Sequence, residues 1–87
     1  MTGFKKYYFY IMRCKDDSLY CGITQDIKNR EKLHNTGKGS AYVRSRGGGA
    51  VIYQEELNSL SDALRREREV KKWPKQKKEQ LVVTQTH

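Results

Sequence analysis

The run from Lys6 to Cys14 (KYYFYIMRC) constrains the fold of this chain more than any other stretch, because it is largely apolar or aromatic on both of its faces. As a strand, it divides its large side chains between the two sides of a sheet: Tyr8, Tyr10 and Met12 on one, and Tyr7, Phe9 and Ile11 on the other. A strand with two apolar faces is covered on both sides. We therefore expect the sheet to lie at the centre of the fold.

A second strand is predicted after a polar turn. Lys15-Asp16-Asp17-Ser18 is a cluster of turn-forming residues, and the apolar pattern resumes from Leu19 to Ile23. Two such runs on either side of a short turn are expected to pair as an antiparallel hairpin.

The two cysteines, Cys14 and Cys21, fall in this hairpin. Residues 1–6 are too short and too polar for a signal peptide, and no run reaches membrane-spanning length, so we expect a cytoplasmic protein. A reducing compartment favours free thiols. Without a metal-ligand or CxxC spacing, a lone cysteine is most often a small apolar side chain, and we assign it no chemistry.

The chain carries a formal net charge of +8, from 18 Lys and Arg against 10 Asp and Glu in 87 residues. Such an excess attracts polyanions before any specific contact forms, which makes nucleic acid the leading partner class. An anionic membrane is the other candidate, but no segment combines a long apolar face with a basic one. The length predicts a single domain over residues 1–87, and the lysines near its end form a basic C-terminal tail at 75–87.

The stretch Tyr20–Asn35 begins as an extended Tyr-x-Gly run and turns into a helix, predicted at about 26–35 and ended by Gly37. Arg30 and His34 lie one turn apart on one face of this helix and can address the same ligand. Taken alone, these two residues are more often a solvated arginine and a C-terminal histidine that complements the helix dipole.

The segment from Thr36 to Gly49 is predicted as a loop, because it holds five of the seven glycines. It also carries three cations and no acid. Backbone N–H groups together with Lys38, Arg44 and Arg46 can bind phosphates, and Tyr42 offers a ring for stacking on a base. The alternative, weighed equally, is a flexible surface loop whose cations keep it soluble.

A third strand is predicted over Ala50–Leu57, with Val51 and Tyr53 on one side. Ser59 then begins a pattern that resembles a capping box. The helix that it caps should run from about Leu60 to Lys72.

Glu67 is the anomaly in this helix. It falls in an otherwise apolar stripe formed by Leu60, Ala63, Leu64, and Val70 or Lys71. Its ordinary interpretation is an exposed, ion-paired glutamate that contributes little. If it faces the core near the hairpin instead, its burial requires a cation or a metal.

Beyond this helix, Pro74 disfavours helical geometry at Trp73, so we expect the helix to stop there and a short one to restart at Pro74. The lysines that follow are expected to form a solvated face. Leu81 to Val83 could dock against the sheet, and the last residues should be loose.

Several motifs in this order resemble the GIY-YIG nuclease domain. They are Tyr8-Phe9-Tyr10, Tyr20-Cys21-Gly22, Arg30, His34 and the Ala-Leu-Arg-Arg-Glu run at 63–67. The resemblance covers about residues 6–80 and is nearest to the small stand-alone bacterial group of that family. It implies an α+β fold, in which a small three-stranded antiparallel sheet is flanked by helices. It also implies an active site across one sheet face and the ends of two helices.

The resemblance implies a nuclease that cuts phosphodiester bonds with one divalent ion, Mg²⁺ or Mn²⁺. Glu67 would be the metal ligand. Tyr10 and Tyr20 would hydrogen-bond or deprotonate the attacking water, and a tyrosine base needs a lowered pKa. Arg30 would stabilise the negative charge of the transition state. His34 would orient the water or protonate the leaving oxygen.

The chain departs from the family pattern at three places. Tyr8-Phe9 replaces the Gly-Ile of the first motif, and Cys21 replaces the central Ile of the second, changes that we expect to alter packing more than chemistry. A polar residue that several members carry in a later helix falls in a region with only Lys75 to Gln80. We also find no separate DNA-binding domain, so the domain should bind through its own loop and tail, or through a protein partner that supplies target specificity.

Two functional hypotheses follow. In the first, the protein is a metal-dependent endonuclease acting on branched, damaged or single-stranded DNA. In the second, it is a nucleic-acid-binding module with little or no turnover, or with activity only beside a partner. Glu67 favours the enzyme, because a carboxylate in a phosphate site repels the ligand unless a metal lies between them. The residues do not separate DNA from RNA. A basic structural protein would explain the strands but not the spacing of the motifs.

Overall fold

The computed structural model describes residues 6–85, so the predictions for the two chain ends lie outside the described residues at positions 1–5 and 86–87. The elements in chain order are β1 (Tyr7–Cys14), β2 (Leu19–Thr24), α1 (Ile27–Asn35), α2 (Ala41–Ser45), β3 (Gly49–Leu57), α3 (Leu60–Lys71) and α4 (Lys75–Val83). The strands form one antiparallel sheet in the order β2-β1-β3. The predicted α+β fold, a small three-stranded antiparallel sheet flanked by helices, is confirmed. No helix within residues 6–85 is long and apolar enough to cross a membrane.

Strand β1 lies in the middle of the sheet, and its two faces carry separate apolar clusters. The first cluster joins the sheet to α3 and α4, and its buried members include Phe9, Ile11, Val70 and Val82. The second joins the sheet to α1 and α2, and its buried members include Tyr10, Met12 and Val43. We refer to these as the α3 face and the α1 face. The predicted division of the β1 side chains between two covered faces is confirmed.

An irregularity in the pairing of β1 with β3 changes which side chains of β3 share a face. Ile11 pairs with Tyr53, but Met12, the next residue, pairs with Val51, so Ile52 is an extra residue in the ladder. Val51 consequently packs on the α1 face and Tyr53 on the α3 face. The prediction that Val51 and Tyr53 lie on one side is wrong, because strict alternation does not continue through a β-bulge.

Cys14 and Cys21 are both buried and free, and they lie on opposite faces of the sheet. Cys14 belongs to the cluster on the α1 face and Cys21 to the cluster on the α3 face. Burial raises the pKa of the Cys21 thiol, which keeps the thiolate scarce at neutral pH. The prediction of free thiols that act as small apolar side chains is confirmed.

The segment predicted as a loop contains the short helix α2. Ser40 begins it, and the Ser40 hydroxyl accepts a hydrogen bond from the backbone N–H of Tyr42 at 3.0 Å. Val43, in the middle of α2, is fully buried against the sheet. The loop prediction is wrong over 41–45, because one buried valine is enough to anchor a single helical turn and leaves no apolar period in the sequence.

Helix α3 contacts the sheet along a narrower stripe than its apolar residues suggest. Ala63 and Val70 are fully buried, whereas Leu60 is 45% exposed and Leu64 is 39% exposed. The predicted stripe is wrong at these two leucines, because the contact is centred on the line through Ala63 and Val70. Glu67 lies between those two residues along the helix.

Helix α4 begins after Pro74, where the sequence predicted that a helix restarts. Val82 is 7% exposed and docks in the α3-face cluster, as expected for the apolar C-terminal run. Arg13 of β1 donates two hydrogen bonds to the Glu79 carboxylate, at 2.8 and 2.6 Å. These contacts hold most of the predicted basic tail against the sheet as a helix through Val83.

Candidate active site

Tyr10 reaches from the central strand over the edge strand β2. It pairs with Gly22 in the sheet, and its ring lies above that glycine. A Cβ built on Gly22 would come within 2.5 Å of Tyr10 Oη and 2.7 Å of Tyr10 Cζ, so any larger residue would displace the phenol. The glycine of the second motif therefore makes room for the last tyrosine of the first.

His34 holds the Tyr10 hydroxyl from helix α1. Its Nε2 lies 3.0 Å from Tyr10 Oη, and the backbone N–H of Ser40 donates to its Nδ1 at 3.2 Å. Burial, followed by the charge of Arg30, lowers the pKa of His34, so the ring is neutral at pH 7. A neutral imidazole has one N–H, and because Nδ1 accepts, the proton lies on Nε2 and is donated to Tyr10.

The role that the sequence suggested for His34 changes in this geometry. Both of its ring nitrogens have partners within the protein, and the residue is 2% exposed. His34 therefore contacts Tyr10 rather than a water molecule or a leaving oxygen. Because its Nε2–H occupies one acceptor position of the Tyr10 hydroxyl, the Tyr10 O–H remains available to donate outward.

Helix α1 is clamped to strand β3 by two of its side chains. The amide of Asn35 accepts from the backbone N–H of Gly49 at 2.9 Å and donates to its carbonyl at 2.8 Å. The Glu31 carboxylate accepts from the backbone N–H of Val51 at 2.7 Å. These contacts fix the helix that carries both Arg30 and His34.

Arg30 lies beside the Tyr10–His34 pair. Its charge lowers the pKa of both groups, which places the guanidinium within electrostatic reach of each. Its Nε is buried and has no hydrogen-bond partner among residues 6–85. A buried donor without a partner is costly, so Arg30 is poised to bind an acceptor supplied by a ligand.

Tyr20 completes the aromatic part of the site from strand β2. Its ring centroid lies 5.3 Å from that of His34 in an edge-on arrangement and 6.4 Å from that of Tyr10. It is half-buried, whereas Tyr10 is almost fully covered. The structure thus brings together Tyr10, Tyr20, Arg30 and His34, four of the five predicted catalytic residues, on the α1 face.

Glu67 approaches from α3, which packs on the other face of the sheet. Its charge raises the pKa of both Tyr10 and Cys21, so the carboxylate acts electrostatically on the phenol as well as on the edge strand. Its side chain is 20% exposed and pairs with Lys71 at 3.5 Å. Glu67 is therefore on the core side of its helix, near the hairpin, rather than a fully exposed residue.

The pKa of Tyr10 differs from the expectation for a catalytic base. Burial raises it above its ordinary value, Tyr20 and Glu67 raise it further, and the lowering influence of Arg30 is outweighed. The protein groups alone do not lower the pKa of Tyr10, and its lowering by a nearby metal stays a prediction. At neutral pH this phenol is protonated and acts as a hydrogen-bond donor.

The predicted nucleic-acid-binding residues divide into two groups. The Arg46 guanidinium lies 3.7 Å from the ring centroid of Tyr42, and its Nε is 3.3 Å from Asp16, so Arg46 covers one face of the tyrosine and is paired with an acid. Arg44 is exposed, and Lys38 has no acidic partner among the described residues. Lys38 and Arg44 are thus the freer cations of this segment.

The acidic groups of the site fit a hard divalent ion better than a softer one. Within residues 6–85, no group of three or more His, Cys, Asp and Glu side chains is placed to hold a metal. Glu67 offers one carboxylate, whose ion pair with Lys71 is long at 3.5 Å. One carboxylate suits Mg²⁺ or Mn²⁺, which take water and phosphate oxygens as further ligands, whereas zinc needs three or four protein ligands.

Sequence reasoning missed the residues that orient the catalytic ones. Gly39 is one, because a Cβ there would collide with His34 Nδ1 and lie 3.0 Å from its Cα. Ser40, through its backbone N–H, and Asn35, through its clamp on β3, are the others. Gly39 carried a signal in the glycine-rich segment, but a backbone donor and a surface asparagine have no recognisable pattern.

Comparisons with known proteins place the chain beside a defined group. The family model described as the GIY-YIG catalytic domain matches residues 6–80. A UPF0213 protein of Staphylococcus haemolyticus is 43% identical over 77 residues, covering 88% of this chain and 94% of the relative. One from Haloquadratum walsbyi is 41% identical over 76 residues, covering 87% and 85%. The solution NMR structure of a UPF0213 protein from Bacillus halodurans superposes with a TM-score of 0.59 at 42% identity, covering 92% of this chain and 85% of that one.

Proposed function

The chain belongs to the family of GIY-YIG catalytic domains, and from this premise we propose that it is a metal-dependent endonuclease that hydrolyses phosphodiester bonds in DNA. The observation that carries the proposal is the cluster on the α1 face, where His34 Nε2 lies 3.0 Å from Tyr10 Oη and the buried Nε of Arg30 has no hydrogen-bond partner among residues 6–85. Arg30 from one helical layer and Glu67 from the other both act on this single phenol. A cation that binds phosphate and a carboxylate that binds a metal are what hydrolysis of a phosphodiester requires around one reacting atom.

The residues of the α1 face bind and orient the reactants. The Arg30 guanidinium, with its unpartnered Nε, binds the phosphoryl oxygens and stabilises the charge that develops on them. Tyr10, held by the Nε2–H of His34, donates its hydroxyl hydrogen toward the attacking water or a phosphate oxygen. Tyr20, less buried, accepts a hydrogen bond from the same water. His34 is thus a positioning residue that acts through Tyr10.

Glu67 would hold a divalent ion, Mg²⁺ or Mn²⁺, as its protein carboxylate ligand. When bound, such an ion would supply positive charge to polarise the phosphoryl group. With its charge compensated in this way, Glu67 would no longer repel the phosphate that Arg30 binds.

The experiment is cleavage of labelled single-stranded, duplex and branched DNA with Mg²⁺ or Mn²⁺, compared between wild type and Glu67→Gln. We expect wild-type cleavage and a loss of about 100-fold or more in the variant, because the neutral amide is a poor ligand for a hard cation. Glu69→Gln is the matched control, since Glu69 is on the same helix but is 57% exposed and paired with Arg66 at 2.8 Å. Equal loss in both variants, or no loss in Glu67→Gln, would remove Glu67 from the mechanism.

A second candidate function is a nucleic-acid-binding module that turns over only beside a protein partner. The raised pKa of Tyr10 favours it, because a protonated phenol does not take a proton from water. This candidate predicts salt-sensitive binding of DNA or RNA with no metal-dependent cleavage of any substrate in the same assay. Under either function, we expect the protein to act on nucleic acid in the cytoplasm.

A further inference from the structure

A cavity of about 380 Å³ opens on the α1 face, next to the candidate active site. Its lining residues come from β1, β3, the turn before α1 and the first two residues of α1, and they are Tyr8, Gln25, Asp26, Ile27, Lys28 and Gln54. The volume falls in the range of pockets that bind small organic ligands. None of the five predicted catalytic residues lines it, so the cavity calls for its own explanation.

The cavity adjoins Tyr10 along the strand and across the sheet. Tyr8 precedes Tyr10 by two residues, so the two tyrosines share a face and their Cα atoms are roughly 7 Å apart. Gln54 is paired directly with Tyr10, which puts its side chain on the same face. Ile27 packs against the cluster that contains Tyr10 and also lines the cavity. A group bound here would therefore lie beside the group held at Tyr10.

The polar groups around the cavity are of the kinds that read a nucleobase. Among residues 6–85, the side chains of Gln25, Gln54 and Lys28 have no hydrogen-bond or ion-pair partner. Each amide has both donors and an acceptor, as the edges of nucleobases do. Asp26 is occupied, because its carboxylate accepts from the backbone N–H of Asn29 at 3.0 Å.

Part of the cavity wall is the main chain at Gln54, which is held by contacts that do not use the Gln54 side chain. The Gln85 amide donates to the backbone carbonyl of Gln54 at 2.6 Å and accepts from its N–H at 3.1 Å. This double contact holds the main chain of Gln54 without using its side chain. The half-buried Tyr8 ring supplies a surface on which a flat ring can stack.

We propose that this cavity binds an unpaired nucleobase next to the phosphodiester bond held at Tyr10, a proposal that rests on the proposed function. The base stacks against Tyr8, the amides of Gln25 and Gln54 bond its edge, and Lys28 contacts its phosphate. A base inside a duplex cannot enter without being unstacked and unpaired, which costs a few kcal/mol. The preferred substrate class is therefore a nucleic acid with unpaired nucleotides. The tyrosine in place of the first motif glycine then has a chemical role as well as a packing role.

Binding measured without cleavage tests the proposal. Fluorescence anisotropy in EDTA compares a labelled single-stranded DNA with an abasic strand of the same length, which has the same phosphates but no bases. We expect wild type to bind the base-bearing strand about tenfold more tightly, the size of one base-stacking contact. Tyr8→Ala should lose most of this preference while its affinity for the abasic strand stays unchanged.

Three further variants make the result specific. Tyr7→Ala changes the neighbouring tyrosine on the opposite face and should keep the full preference. Tyr42→Ala measures the separate contribution of stacking at α2, and the preference for bases that this variant retains is the part that the cavity supplies. Gln25 is exposed, so folding should tolerate Gln25→Ala. This variant should reduce the preference for the base-bearing strand even if Tyr8→Ala does not fold.

Two outcomes would overturn the base pocket: wild type binding both strands equally, or Tyr8→Ala and Gln25→Ala both retaining the full preference. The nuclease proposal fails separately. If no substrate is cut with Mg²⁺ or Mn²⁺ but Tyr8→Ala still abolishes the preference for bases, the pocket is supported and the catalytic function is not.

Discussion

Two glycines allow the central pair of the site to form. Gly22 lies under the Tyr10 ring, and Gly39 lies against the His34 imidazole, both at distances that exclude a Cβ. Neither residue has chemistry of its own. Yet the hydrogen bond between Tyr10 and His34 depends on both, because each partner occupies space that an alanine would take.

Gly22→Ala should reduce cleavage by about 100-fold, because moving the Tyr10 hydroxyl by an ångström disrupts the alignment of the reactants. The cleavage rate and the thermal unfolding midpoint measured together separate displacement from unfolding. Cys21→Ala is the control, since it removes a buried side chain from the other face and should lower stability while leaving the rate of the folded protein near normal. A Gly22→Ala protein that cuts at the wild-type rate would show that the position of Tyr10 is not required.

His34 should make the stability of the fold depend on pH near neutrality. Its pKa is lowered in the folded protein relative to about 6.5 when unfolded, so the unfolded chain binds more protons between the two values. This contribution is fully present above about pH 6.5 and is lost as the pH falls from there toward the folded pKa.

Urea unfolding at pH 7.5 and 5.5 measures this effect. The free energy of unfolding of the wild type should fall between these pH values, and that of His34→Gln should fall less. Tyr10→Phe removes the hydroxyl partner but keeps a buried histidine, so its pH dependence should persist. Equal slopes for wild type and His34→Gln would contradict a neutral, buried His34.

At the scale of elements, α4 is attached to the sheet by the Arg13–Glu79 ion pair and an apolar contact, and to the turn between β1 and β2 by the Lys75–Asp17 pair. Arg13 and Glu79 meet in a bidentate pair, and each side chain is 32% exposed. This geometry is stronger than that of an ordinary surface pair, although solvent still screens it. Val82 supplies the apolar part of the attachment.

A double-mutant cycle with Arg13→Ala and Glu79→Ala should give a coupling free energy of about 1 kcal/mol. The cycle for Arg65 and Asp62 is the control. That pair is 72% and 47% exposed, and its coupling should be about 0.3 kcal/mol. Chemical denaturation of the single and double variants supplies the four free energies of each cycle. Equal couplings would mean that the bidentate geometry adds nothing to the docking of α4.

A helix or strand could be predicted from the sequence where the pattern of its own residues indicates it. The hairpin, α1 and the Ser59 start of α3 follow from local pattern, and the Ser59 hydroxyl does accept from the Asp62 N–H. The bulge at Ile52 and the turn of helix around Val43 depend on contacts with other elements, so local pattern does not reveal them.

The site divides in the same way. The resemblance to the GIY-YIG motifs nominated five candidate catalytic residues, and the structure brings four of them together on one face with Glu67 within electrostatic reach. The direction of the His34–Tyr10 hydrogen bond and the raised pKa of Tyr10 were not predictable. They depend on the backbone N–H of Ser40 and on burial, and the spacing of the sequence motifs indicates neither of these.

At the scale of the whole molecule, the positive charges behind the net charge of +8 are not equally available to bind a polyanion. Lys75 is paired with both Asp17 and Glu79, at 3.1 and 3.7 Å, so much of its charge is compensated within the protein. Lys38 and Arg44 have no acidic partner among residues 6–85 and lie in the segment that packs on the α1 face. Binding of a polyanion should therefore involve Lys38 and Arg44 more than Lys75.

The logarithm of the association constant for DNA should fall linearly with the logarithm of salt concentration, because each neutralised phosphate releases a counterion. Lys38→Ala and Arg44→Ala should each reduce the slope by about one. Lys75→Ala removes the same formal charge but should leave the slope nearly unchanged. Salt titrations of DNA binding by anisotropy give these slopes, and an equal change for all three variants would mean that only total charge matters.

The placement of the two cysteines gives the protein a pair of internal reporters. Cys14 is sealed by the layer that contains α1 and α2, and Cys21 by the layer that contains α3 and α4. A thiol reagent can reach either one only when the helices above it lift from the sheet. The labelling rates of the two positions therefore report how often each helical layer separates from the sheet. They distinguish a fold in which the two layers open independently from one in which both layers open together.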